Sequence, residues 1–441
     1  MNGKKITFLG ISSGICAPTA KGQIGADMGF EAIRAEALAS KGPAKPGAFD
    51  PRKIFIDNET ENIVTAKDLY DYIDEMDNSD VFFQDLEEQP KDPFANTRFA
   101  RHIGYLIDIF KKIKSKVYET LKYKEFPFII AGDHSTAAAT IGGIKKYLGK
   151  YEPGKKLGVI WVDAHVDANS PFSTPSGNMH GMPVGMSCGI KVNLDPLRIS
   201  TDKKSQHESK RIDTIRREDI LDKWTQLFVD PKDRDNLENY DFVFIGIRDY
   251  QPHERQFLLG RDIDSLPSSR PAPKQPTLHY KFSDGENAAG DIENYYPKIR
   301  NHQNEPKSIQ QVAEETIAYF KANKYDYIYV SFDIDAITGY NLKEVDTQQE
   351  AYQAMVREAV KEPIFGTGTP VEHGLSLADA KYLLNYFMNV QKDVPVIAFE
   401  IVEVTPLLDI QNRTARTAFD IIKLLMHPPS ALVKKTRNGQ K

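Results

Sequence analysis

Six short apolar runs, each closing on a glycine, a polar or an acidic residue, constrain this chain more than any other feature. They are KITFLGIS (5–12), FPFIIAGD (126–133), LGVIWVDAH (157–165), DFVFIGIRD (241–249), DYIYVSFDID (326–335) and VPVIAFEIVE (394–403). Their apolar character is nearly continuous rather than alternating, which is the pattern of strands buried on both faces and therefore parallel. Parallel neighbours need crossover connections, and helix-like stretches stand between the runs at 99–122, 136–148, 308–323 and 376–389. The expectation is a three-layer α/β/α protein with a mainly parallel central sheet. Ligands of such sheets bind beyond the carboxyl ends of the strands, where the polar closing residues of these runs fall.

With 441 residues, 40% of them hydrophobic, the chain can build one large core or two ordinary ones. The polar motifs are dispersed from end to end, so no boundary separates them. The expected organisation is one catalytic domain over 1–430, carrying surface insertions near 41–95, 191–235, 262–310 and 338–364. A basic tail follows at 431–441. The 262–277 stretch holds Pro267, Pro271, Pro273 and Pro276 and reads as an irregular loop, whereas 347–361 (TQQEAYQAMVREAVK) reads as a helix. A net charge of −5 supplies no field for a nucleic-acid partner. No apolar run approaches membrane-spanning length, and two cysteines, Cys16 and Cys188, make neither a disulfide framework nor a thiolate zinc site. A cytoplasmic protein acting on a small molecule is expected.

Four of the strand ends carry the chemistry: GDHS (132–135), DAHVD (163–167), SFDID (331–335) and VEVTP (402–406). The first three supply His134, Asp163, His165, Asp167, Asp333 and Asp335. Spacing by two places Asp163, His165 and Asp167 on one side of an extended segment, and likewise Asp333 and Asp335. Taken singly, each motif reads equally well as a helix cap, a solvated strand end or a packed histidine. Together they crowd four carboxylates, which repel one another unless cations lie among them. Oxygen and nitrogen donors without thiolate suit Mn²⁺, and also Co²⁺, Ni²⁺, Zn²⁺ or Fe²⁺. Bridging carboxylates would hold two ions about 3.5–4 Å apart, and water bound to such a centre becomes a hydroxide nucleophile near neutral pH.

At these residues the sequence resembles the ureohydrolase superfamily, and within it the arginases. The likeness is densest in DAHVDANSPFSTPSGNMHGMPV (163–184) and VEVTPLLDIQNRTARTAF (402–419), with KGQIGADMGFEAIR (21–34), IGIRD and GTGTP as further matches. It implies an arginase-like fold and two Mn²⁺ per subunit. His134, Asp163, Asp167 and Asp333 would hold one ion; Asp163, His165, Asp333 and Asp335 would hold the other. Asp167 would also orient the bridging hydroxide, Glu403 would face the substrate guanidinium, and His180 would shuttle a proton. Asn169, Thr174, Ser176 and Asn178 would read an amino-acid head group. Such enzymes are commonly symmetric oligomers, and the insertions could build or block subunit contacts, so the sequence leaves monomer, homo-trimer and hexamer open.

Departures cluster around the pocket. Thr338 and Gly339 stand where the family has Asp-Pro, His373 replaces a glycine after GTGTP, Gln251 replaces an acid after IGIRD, and Ala131 replaces a glycine before GDHS. The leading expectation is hydrolysis of L-arginine to L-ornithine and urea, by hydroxide attack on the guanidino carbon. Formimidoylglutamase or another guanidino-acid hydrolase is the alternative. Agmatinase stands behind both, because SGNMHG offers groups for a head-group carboxylate that agmatine lacks. A catalytically silent regulatory or assembly homologue is the non-enzymatic alternative, although every ligand position is filled.

Overall fold

A computed structural model describes residues 4–17, 25–43, 49–65, 99–190, 217–229, 236–260, 277–282, 299–337, 364, 366–371, 373–409 and 411–428. Its strands are β1 (Ile6–Ile11), β2 (Glu59–Val64), β3 (Phe126–Ala131), β4 (Leu157–Val162), β5 (Phe242–Ile247), β6 (His279–Phe282), β7 (Ile299–Asn301), β8 (Tyr327–Asp333) and β9 (Val396–Val402). They form one sheet in the order β2-β1-β3-β9-β8-β4-β5-β6-β7. Every pairing is parallel except β6 with β7.

The six apolar runs are the six strands from β1 to β5 along the middle of this order. Their residues alternate between two cores. Leu157, Val159 and Trp161 of β4 pack on one face, with helices α2 (Ile103–Lys122) and α3 (Ala137–Tyr151). Ile160 and Val162 pack on the other, with α1 (Gly29–Ala39), α7 (Ile309–Ala322), α8 (Leu377–Asn385) and α9 (Arg413–Met426). Burial on both faces is why apolar residues occupy nearly every strand position. Of the three strands that no apolar run announces, β2 and β7 are the two sheet edges and β6 lies next to β7. β2, with the sequence ETENIV, buries only Val64, so its composition carries no strand signal.

The remaining helices are α4 (Pro183–Ser187), α5 (Arg217–Gln226) and α6 (Pro252–Leu258). The expected insertions fall largely outside the described residues, as do the proline-rich loop up to Pro276, the 347–361 helix and the basic tail. Within the insertions the structure describes β2, α5, β6 and β7. No helix among the described residues is long and apolar enough to cross a membrane.

Candidate functional site

The strands β3, β9, β8 and β4 are consecutive in the sheet, so the four motif-bearing ends stand side by side. Three of them leave the sheet in the same way. Asp133 Oδ1 accepts from the Ser135 amide at 3.1 Å, Asp163 Oδ1 from the His165 amide at 2.7 Å, and Asp333 Oδ1 from the Asp335 amide at 2.8 Å. Each aspartate therefore caps a turn through its own side chain. The two-residue spacing converges through these turns, rather than along the extended segment expected from the sequence. Two glycines make the approach possible. A Cβ at Gly132 would lie 1.7 Å from the Ser13 carbonyl, and one at Gly246 (φ +104°) would lie 2.9 Å from that of Asp163.

The six candidate ligands come together as two overlapping clusters. His134 Nδ1 is 3.2 Å from Asp163 Oδ2, 3.2 Å from Asp167 Oδ2 and 3.3 Å from Asp333 Oδ2. His165 Nδ1 is 3.5 Å from Asp163 Oδ1 and 3.1 Å from Asp335 Oδ2. Asp163 thus gives one oxygen to each cluster. Donor atoms about 2.0–2.2 Å from a shared ion stand ~2.8–3.6 Å apart at right or tetrahedral angles, and these spacings fall in that range. His134 Nδ1 also has no hydrogen-bond partner, although it is buried. An imidazole nitrogen close to three carboxylates and bonded to none is arranged for a cation.

The electrostatics agree. Burial, then the charges of Asp335 and Asp163, push Asp333 well above the usual carboxylate range. Burial and Asp163 raise Asp167 to about 6. Burial alone would depress His134 and His165, but the carboxylates overcome it and hold both well above the ordinary imidazole value. A cluster that holds protons in this way could exchange them for divalent cations.

Glu403 follows β9 with φ at 64°, and Asp167 has φ at 55°. Left-handed backbone at these non-glycine residues costs about 1–3 kcal/mol each, a strain that concentrates at functional positions. The Glu403 amide donates to the Gly132 carbonyl at 2.7 Å. Its Oε1 accepts from the His134 amide at 3.0 Å and lies 3.3 Å from His180 Nδ1. Its Oε2 is buried with no hydrogen-bond partner. Burial would lower the His180 pKa, but the hydrogen bond and charge of Glu403 raise it above its usual value.

The expected head-group residues divide. Thr174 Oγ1 accepts from the amides of Ser176 and Gly177, and Ser176 Oγ from that of Asn178, so both hydroxyls shape their own loop. Asn178 Oδ1 is buried and unpartnered. The Asn169 amide is engaged on both sides. Its Nδ2 is 3.1 Å from Glu254 Oε1 and 3.4 Å from Gln251 Oε1, and its Oδ1 is 2.9 Å from His253 Nε2. Gln251 itself caps α6 in a reciprocal pair with Glu254. His373 has φ at 60°, which explains a glycine preference there; Thr338 and Gly339 lie outside the described residues.

Several neighbours escape sequence reasoning. Trp161 Nε1 donates to Asp163 Oδ2 at 2.9 Å, and its ring stacks on His134 with centroids 4.1 Å apart. Thr369 donates to Asp335 at 3.3 Å, while Asp249 stands 3.7 Å from His165 Nε2. Arg248 donates to the carbonyls of Gly246, Asp335 and Val371, tying three loops together. Trp161 and Ser331 precede Asp163 and Asp333 by two residues on the same strand faces, the one local signal available. The others come from distant segments.

The layered sheet and its paired acid–imidazole clusters define an α/β protein built to hold divalent cations at its strand ends. The sequence matches the Arginase family over residues 4–269 and 363–427. The chain belongs to the arginase family, a family of binuclear metal enzymes, and is a hydrolase acting on guanidino or amidine substrates. It is 26% identical over 322 residues to the arginase of Staphylococcus aureus, covering 73% of this chain and 74% of that one. With the arginase of Bacillus subtilis it shares 25% identity over 353 residues, 78% and 83% of the two chains. The arginase of Bacillus caldovelox has a similar fold, with a TM-score of 0.58 at 22% identity, over 97% of this chain and 99% of that one.

Proposed function

We propose that this protein hydrolyses L-arginine to L-ornithine and urea at a centre of two Mn²⁺ ions. The observation that carries the guanidino reading is the open, buried Oε2 of Glu403 beside the clusters. A carboxylate oxygen without a partner, in a residue 1% exposed, calls for a cationic donor. A planar guanidinium supplies parallel N–H groups for a charge-assisted pair. His134, Asp163, Asp167 and Asp333 would hold one ion, and Asp163, His165, Asp333 and Asp335 the other. When bound, the ions supply a water deprotonated near neutral pH, because one metal can lower its pKa from about 15.7 to about 7.

The chain's own groups do the rest. Glu403 Oε2 accepts from the guanidinium and fixes the plane of its carbon. Asp167 accepts a hydrogen bond from the attacking oxygen. A carbon–oxygen bond forms and the bond from the guanidino carbon to the ε-nitrogen breaks; that nitrogen takes one proton from the attacking oxygen by way of Asp167 and one from His180, leaving as the side-chain ammonium of ornithine. The first proton lost by water restores His180, so both protons of the consumed water end on the amine and none accumulates. Asn178 Oδ1, buried and without a hydrogen-bond partner, would accept from a polar head group.

A guanidino acid without an α-amino group is the second reading, favoured by the ring of contacts about Asn169. His253, Gln251 and Glu254 occupy both ends of that amide. Manganese-loaded protein is to be incubated with L-arginine, agmatine, 4-guanidinobutyrate and formiminoglutamate, with urea or formamide measured. Urea release with the highest kcat/KM for L-arginine is expected. Preference for 4-guanidinobutyrate selects the second reading, and no release from any of the four with two ions bound refutes both.

A further inference from the structure

Behind His134, on the side away from the carboxylates, runs a buried polar chain that the chemistry above does not use. His134 Nε2 lies 2.8 Å from Ser331 Oγ. Ser331 and Tyr329 share one face of β8, and Glu400 stands opposite Ser331 in the register with β9. The Tyr329 hydroxyl donates to Glu400 Oε2. Tyr329, Ser331 and Glu400 are each wholly buried. Among the described residues no lysine or arginine pairs with Glu400, whose Oε1 has no hydrogen-bond partner. A carboxylate sealed in a core without a cation costs more than an apolar side chain of that size, so packing does not account for it.

These groups line one buried polar face behind the imidazole, with Ser331 against His134 and Tyr329 against Glu400. A cation on Nδ1 requires the His134 proton on Nε2, where the Ser331 oxygen stands to accept it. Nδ1 is the atom that meets Asp163, Asp167 and Asp333 at 3.2–3.3 Å. The second imidazole is backed differently. His165 Nε2 faces Asp249, whose side chain is 61% exposed. Water screens that partner and does not reach Glu400.

We infer that Glu400 and Tyr329 are positioning residues that seat Ser331 behind His134 Nε2 and strengthen one of the two metal positions alone. The inference rests on the dinuclear reading above. Outer partners of ligating histidines commonly change metal affinity 10–100-fold. Here the change belongs to the ion that His134 would hold, and the ion that His165 would hold is indifferent to it.

The test is calorimetric titration of metal-free protein with Mn²⁺, repeated with Co²⁺ followed by visible absorption, in the parent, Glu400→Gln, Tyr329→Phe and Ser331→Ala. One binding step should weaken about 10-fold or more in all three variants, with the other within twofold. His165→Ala should weaken the other step and so identifies it. If Glu400→Gln does not fold, Tyr329→Phe, which removes a single hydroxyl, decides alone. A fall in the melting temperature of the metal-free variants with both steps unchanged makes the chain merely structural and overturns the inference. Equal weakening of both steps overturns it too. A parent that takes up no metal refutes the dinuclear reading itself, and the inference with it.

Discussion

Replacing Glu403 by glutamine tests the proposed substrate pairing with the least steric change. The amide oxygen can still accept from the His134 backbone, as Glu403 Oε1 does at 3.0 Å. The substituted nitrogen then meets the guanidinium donor to donor. Breaking one side of a buried charge pair costs about 3–5 kcal/mol, and ~1.4 kcal/mol is a factor of ten, which gives about 10²–10³·⁵ in kcat/KM. Water lowers that figure at the mouth of the site, where the neighbouring His180 side chain is 18% exposed. About 100-fold is therefore the working expectation. The assay is urea release from L-arginine, with bound metal measured in the same samples. A variant that keeps two ions and a kcat/KM within about fivefold of the parent would remove Glu403 as the guanidinium partner, and with it the main support for a guanidino substrate.

Asp333→Ala removes a carboxylate proposed to serve both ions, so metal analysis should show the centre largely empty and turnover abolished; near-normal metal content contradicts the assignment. Gly132→Ala forces a Cβ to within 1.7 Å of the Ser13 carbonyl, where backbone must move. A loss of about 3 kcal/mol or more in urea-induced unfolding is expected, and an unchanged midpoint would show that the loop yields freely. Burial lowers the His279 pKa to about 4, against 6.5 unperturbed. Above pH 6.5 both states are neutral. Below it the unfolded chain takes up a proton that the folded chain refuses, so stability falls until about pH 4. The loss should reach about 2 kcal/mol at pH 5, and His279→Gln should reduce the pH 7 to pH 5 difference by that amount. An identical difference in the variant refutes the assignment.

The central sheet was readable because its strands are buried twice over. β4, with LGVIWV, admits no other element of that length beside its flanking turns. The edges were not readable for the converse reason: ETENIV faces water, and its pairing with β1 is a tertiary fact. The candidate ligands were visible as residue types at strand ends, but their grouping was right for an incomplete reason. Alternation along an extended segment would have turned Asp163 and His165 to one side; the carboxylate-capped turns do it instead.

The chain's composition and pattern by themselves determined a layered α/β core and which acids and imidazoles leave its strand ends, because burial and periodicity are local properties. Only the tertiary structure decided what surrounds each of them. β9 enters the sheet between β3 and β8, although more than 60 residues follow β8 before it begins. That insertion brings Glu403 beside His134 and Glu400 behind it. Strand order is set by the joint packing of helices on both faces, which no window of neighbouring residues contains.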